Sequence, residues 1–155
     1  MTTPWKTFSD EAPELAAAVR ARFEATKHHV LATLRADDAP RVSGTEVGFQ
    51  GPDIVLGSMP DALKVRDLQR DDRFALHANP GDGSMEGGDA KISGTAVEVT
   101  DPDELESFRQ PGQPPGPFHL FRLELADAVL TSVENDQLVI RLWRPGAGVT
   151  RFSRT

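Results

Sequence analysis

The sequence predicts a mainly β protein built as an antiparallel barrel of six or seven strands with short flanking helices. Three observations carry this prediction. From residue 28 onward, apolar residues recur with a period near two in short runs. The runs are separated by Gly-, Pro- and Asp-rich turns, in keeping with 13 glycines and 12 prolines. Only two later segments, 59–73 and 101–110, switch to helical spacing. About seven short strands with so few helices favour a closed barrel over an open α/β sheet.

The first element is a helix expected over Ser9–Lys27. Ser9 or Asp10 can cap its start, Glu11 and Glu14 suit its first turn, and Leu15, Val19 and Phe23 share one face. HHVLATLR (28–35) and RVSGTEVGF (41–49) follow as a strand pair around the ADDAP turn. After QGPD, residues 53–58 (DIVLGS) make a third strand. MPDALKVRDLQRDDR breaks the alternation: Pro60 near the start, Asp61 in the first turn and Ala62, Val65 and Leu68 at helical spacing predict a short amphipathic helix from Met59 to Arg70. RFALHA (73–78) and AKISGTAVEVT (90–100) are strands flanking a glycine-rich loop. Asp101 and Pro102 open a second short helix, over 101–110. After the PGQPPGP loop, residues 118–134, 137–145 and 149–155 supply the last strands. The whole reads as one domain, 1–155, with a helical segment at 1–27 and the barrel at 28–155.

Composition narrows the function. A formal net charge of −7 argues against general nucleic-acid binding, which needs a dominant basic surface. No stretch approaches the roughly 18 apolar residues of a membrane-spanning helix. With no cysteine, disulfides and thiolate chemistry are excluded. A cytosolic setting is the simplest reading.

An anionic ligand must then find a local cluster of cations, and the junction of strand 53–58 with the basic helix offers one. Gly57 and Ser58 precede a helix start whose free amides attract phosphate, and Lys64 and Arg66 add charge. On the neighbouring strand Arg41, Ser43 and Thr45 share one face, opposite Val42 and Gly44. The plainer alternative is that Lys64 and Arg66 form a solvated helix face and Ser43 and Thr45 the wet side of a barrel. The histidines propose no metal site: His28 and His29 are adjacent and face opposite ways, and neither His77 nor His119 has a spaced partner. His77, at a strand end, is a candidate for substrate contact, with core or rim packing the simpler account. Trp143, between Arg141 and Arg144, could stack on a flat ring or fill the core. No motif names a catalytic side chain.

The ordered segments HHVLATLRADDAPRVSGTEVGF, DIVLGSMPDALKVRDLQRDDRFALH and AKISGTAVEV resemble the pyridoxamine 5′-phosphate oxidase-like superfamily, the flavin-binding split barrels. The strongest element runs Gly57-Ser58, Lys64, Leu68, Asp71, Arg73, Ala75 and Leu76, and the resemblance spans about residues 20–143. It implies a split barrel that dimerises, with cofactor sites at the dimer interface. It implies FMN, or the deazaflavin coenzyme of actinobacterial branches, with haem in some members. Ser58 and Lys64 would hold the cofactor phosphate, and Arg41, Ser43 and Thr45 would lie along the isoalloxazine. True pyridoxamine-phosphate oxidases carry Arg-x-Val-Leu-Leu-Lys on the second strand, whereas this chain reads RVSGTEVGF; RLWRPG (141–146) matches their Arg-Leu-x-Pro segment loosely. The expected function is therefore flavin- or deazaflavin-dependent hydride transfer to or from a small organic substrate other than pyridoxamine phosphate. A non-catalytic flavin- or haem-binding barrel is the alternative.

Overall fold

The computed structural model describes residues 1–155. Its N-terminal segment holds two helices where the spacing predicts one: α1 (Trp5–Glu11) and α2 (Pro13–Ala25). Proline disfavours the α conformation in the residue before it, and Ala12 accordingly sits at φ −142°, ψ 65°. Ser9 and Asp10, the expected caps, thus lie inside α1, and Ala12 and Pro13 begin α2. The break lets α1 turn Trp5 and Phe8 into the core, where Phe8 stacks on Trp143 at 4.5 Å between ring centroids.

Nine strands follow: β1 (His29–Leu34), β2 (Pro40–Thr45), β3 (Val47–Gln50), β4 (Asp53–Ser58), β5 (Arg73–His77), β6 (Asp89–Glu98), β7 (His119–Glu134), β8 (Gln137–Arg144) and β9 (Gly148–Arg154). Helix α3 (Leu63–Arg70) lies between β4 and β5, and α4 (Pro102–Ser107) between β6 and β7. The hydrogen-bonded order is β2-β1-β5-β6-β7-β4-β3, all antiparallel. Its two ends, β2 and β3, are separated only by Glu46, so one bent stave joins β1 to β4 and closes a six-stave barrel. This bend divides the strand expected over 41–49. The strand segments expected from the sequence are all present, and the division at Glu46 accounts for the ninth strand.

Strand β7 is long enough to serve two neighbours along one edge. Residues 119–123 pair with β4 and residues 128–134 with β8, while β6 runs along its other edge. The register of β6 shifts between Ser93 and Gly94, a bulge that sharpens local twist. Glycine is required there: a Cβ on Gly94 would lie 1.8 Å from the Glu124 carbonyl oxygen. The barrel interior and the underside of α1 and α2 form one core, including Leu31, Ile54, Leu56, Leu76, Ile92, Phe121, Leu123 and Trp143. Outside it, α4 covers Val55, Val99 and Leu120 with Phe108. Asp101 caps α4, accepting from the Glu104 amide at 2.9 Å as its sequence position predicts.

Candidate functional site

Helix α3 closes one end of the barrel, with Val65 and Leu68 turned into the core. It starts later than expected. Pro60 and Asp61 form a turn in which Asp61 takes φ 64°, and Ala62 occupies the N-cap position. No acidic residue therefore stands in the first turn, and Lys64 does.

The Lys64 ammonium reaches the bend between β2 and β3. Nζ donates to the Gly44 carbonyl at 3.1 Å and to the Thr45 hydroxyl at 3.4 Å. Burial brings its pKa below the usual lysine range, and the Glu46 carboxylate opposes that shift. Glu46 is also shared with two exposed groups, Lys27 at 3.6 Å and His28 at 3.3 Å. The lysine is thus a positioned charge rather than a solvated tether.

A buried aspartate one turn further on fixes the helix. Asp67 is 2% exposed and accepts from Thr33 Oγ1 of β1 at 2.7 Å, Arg41 Nε of β2 at 2.7 Å and an Arg70 terminal nitrogen at 3.1 Å. Burial pushes its pKa up, but the hydrogen bonds from Arg41, Thr33 and Arg70 outweigh it and leave the carboxyl below its ordinary range. Asp67 is not among the residues that the sequence pattern singles out. The available signal was its position next to the buried stripe of Val65 and Leu68.

Arg41, Ser43 and Thr45 do share one face, as the period of two predicts. Their cross-strand partners are Thr33, Leu31 and His29, all buried, so this face looks into the barrel. Val42 and Gly44 face outward, and Val42 is 72% exposed. Thr45 is brought to Lys64, whereas Arg41 is committed through Nε to Asp67. Gly57 and Ser58 end β4 immediately before the turn into α3, and Ser58 Oγ donates to the Met59 carbonyl at 3.3 Å. A Cβ on Gly57 would meet only the His119 carbonyl oxygen, at 4.0 Å, so the backbone there is open to close approach. Arg66 turns away from Lys64 toward Asp61, 3.7 Å off, and both are exposed.

The other candidates resolve as follows. Trp143 is fully buried and donates from Nε1 to Glu11 at 3.2 Å, so it belongs to the core. His29 is buried, and its Nδ1 accepts from the Asn79 amide at 3.0 Å; burial pushes its pKa below the usual histidine range. No three His, Asp or Glu side chains are grouped to hold a metal ion. A cavity of about 600 Å³ lies on the outer wall of the barrel, where Val30, Val42, His77, Lys91, Asp127 and Arg144 are among its lining. Ser58 and Lys64 do not line it; β2 separates it from them, giving Val42 to the cavity and Thr45 to the lysine.

The sequence model of the pyridoxamine 5′-phosphate oxidase family matches residues 15–131, from α2 through most of β7. The chain belongs to this family. Solved structures show the same FMN-binding split-barrel fold. A pyridoxamine 5′-phosphate oxidase-related, FMN-binding protein from Nostoc punctiforme PCC 73102 superposes with a TM-score of 0.67 at 11% identity, covering 93% of this chain and 96% of that one. PhzG from Burkholderia lata 383, solved with tetrahydrophenazine-1-carboxylic acid, gives 0.61 at 16% identity, with 96% and 91% covered. General Stress Protein 26 from Bacillus anthracis str. Sterne gives 0.57 at 10% identity, with 88% and 97% covered. At such identities the likeness speaks for the fold alone. No curated protein matches the sequence.

Proposed function

We propose that this protein is a flavin-dependent oxidoreductase, using FMN or the deazaflavin coenzyme, that acts on a small organic substrate other than pyridoxamine phosphate. The observation that carries this reading is the fixed, half-buried Lys64 ammonium on the helix that directly follows Gly57 and Ser58. The donor set suits a phosphate monoester. Lys64 supplies a positioned charge, Ser58 a hydroxyl at an open strand end, and Gly57 a backbone without steric cover. Arg41 serves this site through Asp67, holding α3 in place, and Arg66 adds a more distant exposed charge. When bound, the flavin supplies the hydride chemistry, and the protein's work is to bind, orient and shield it. That division agrees with a site where no general acid or base touches Lys64. The Glu46 carboxylate, where pyridoxamine-phosphate oxidases carry lysine, supports a different substrate or cofactor preference.

The outer wall supports a homodimer. Val30 and Val42 are exposed there and line the cavity between β1, β2 and the β5–β8 sheet. A second copy covering this wall would place β2, and hence the cofactor edge, at the interface. We place the protein in the cytosol, as the sequence suggests.

The test is titration of the purified chain with FMN, riboflavin and the deazaflavin coenzyme, followed by flavin fluorescence and melting temperature. FMN or deazaflavin is expected to bind, and Lys64→Ala to weaken that binding by about 1–3 kcal/mol while sparing riboflavin. Absence of any binding, or an unchanged affinity in Lys64→Ala, would overturn the assignment. Binding without turnover by any electron donor or acceptor would leave a carrier instead of an enzyme.

A further inference from the structure

A second charged pair meets the same helix from the opposite side of the barrel mouth. His119 opens β7 directly across from Ser58 in the antiparallel register, one step beyond the pairs Leu56–Phe121 and Ile54–Leu123. Opposed residues present their side chains on one face with Cβ atoms about 4.5–5.5 Å apart. The four residues of the preceding pairs are all buried in the core, so Ser58 and His119 share the inward face where it reaches the mouth. His119 Nδ1 lies 2.8 Å from Glu98 Oε2 of β6, and Gln69 of α3 donates to Glu98 Oε1 at 2.9 Å. The histidine side chain is 30% exposed, reachable from solvent yet held in orientation. A carboxylate against Nδ1 keeps a proton on that nitrogen. Nε2 is then an acceptor in the neutral ring and a donor in the cation.

We infer that His119 is a proton-dependent second cation of the anion site at Ser58, and that it takes a phosphate-monoester oxyanion. This rests on the reading of Ser58 and Lys64 as a phosphate anchor. With the ring protonated, the His119–Glu98 pair is neutral and Nε2–H donates to an oxygen that also accepts from Ser58 Oγ. With the ring neutral, that donor is lost and the Glu98 charge stands uncompensated beside the anion. Affinity for the phosphate therefore falls as pH rises. The other charges on α3 and the turn before it are Asp61, Lys64, Arg66, Asp67 and Arg70, with Asp67 held by Arg41 and Arg70. On β7, Arg122 is paired with Asp53 and Glu104, and at this end β4 contributes only the neutral Ser58.

The experiment compares FMN with riboflavin, which shares the ring system and lacks the phosphate. Affinities are measured from about pH 6 to about pH 8 for the wild type, His119→Gln and Glu98→Gln. The phosphate itself gains negative charge over this range, so its own titration pushes toward tighter binding to a cationic site. The wild type is expected to lose about tenfold or more in FMN affinity, with riboflavin unchanged. His119→Gln should abolish that slope, and Glu98→Gln should reduce the loss at the alkaline end. A slope that survives in His119→Gln overturns the inference, as does a wild type whose FMN affinity ignores pH. Inorganic phosphate supplies a readout independent of flavin. It should shift the His119 imidazole resonances in the full-length chain, and their indifference to phosphate overturns the inference. A shift without flavin binding would instead remove the flavin reading and keep this one.

Discussion

Removing the Asp67 carboxylate should be among the costliest single changes in this chain. Asp67→Ala leaves Arg41 without its ion-pair partner, with that side chain only 20% exposed, and deprives the buried Thr33 hydroxyl of its acceptor. Breaking a buried pair from one side typically costs about 3–5 kcal/mol. That is a large part of the roughly 5–15 kcal/mol total stability of a domain. With an m-value near 2 kcal/mol/M in urea, the unfolding midpoint should drop by about 1.5–2.5 M. Asp67→Asn keeps one acceptor oxygen but turns an NH2 toward donors, so an intermediate loss is expected. The acid limb supplies a second readout. The folded carboxyl lies below the ordinary aspartate range, so its contribution is fully present above the unfolded pKa and is lost as pH falls through the folded one. Wild type should therefore lose more stability than Asp67→Asn between about pH 5 and pH 2. A urea midpoint for Asp67→Ala within about 0.5 M of wild type would refute the argument that this carboxylate secures α3 to β1 and β2.

Three further outcomes follow from other parts of the fold. Gly94→Ala drives a Cβ to 1.8 Å from the Glu124 carbonyl oxygen, so the bulge between β6 and β7 must rearrange; a loss of about 3 kcal/mol, or failure to fold, should appear in thermal unfolding. Glu11→Ala removes the acceptor of both Trp143 Nε1 and the Gly146 amide, and should cost about 1–3 kcal/mol with a shift in tryptophan emission. Val42→Asp places a charge on an exposed position of the outer wall; light scattering should show a shift from dimer to monomer without loss of the monomer's circular dichroism. A monomeric wild type would remove the proposed interface.

Most local elements were legible because their causes are local. Period-two alternation marks β1, β4, β5 and β6, and the Asn135–Asp136 turn, with both residues at positive φ, joins β7 to β8 as a tight hairpin. Asp101 and Pro102 announce α4 by the same short-range chemistry. The ordered Gly57-Ser58 and Lys64 pattern also points to the family, being local in sequence. Where local reading failed, a neighbour decided: Pro13 broke the first helix, and the Pro60–Asp61 turn delayed α3. The partners of the site lie beyond such reach. Arg41 and Asp67 are 26 positions apart, Thr33 and Asp67 are 34 apart, and His119 and Glu98 are 21 apart. Residue types alone made Arg41, Lys64 and Arg66 equivalent cations. Barrel closure through the bend at Glu46 separated them: it turned Arg41 onto a buried carboxylate, half-buried Lys64 against Thr45 and left Arg66 in solvent. The sequence by itself determined the strands, the turns and the family. Only the tertiary structure decided which charges are partnered, because burial and pairing depend on distances that chain closure sets.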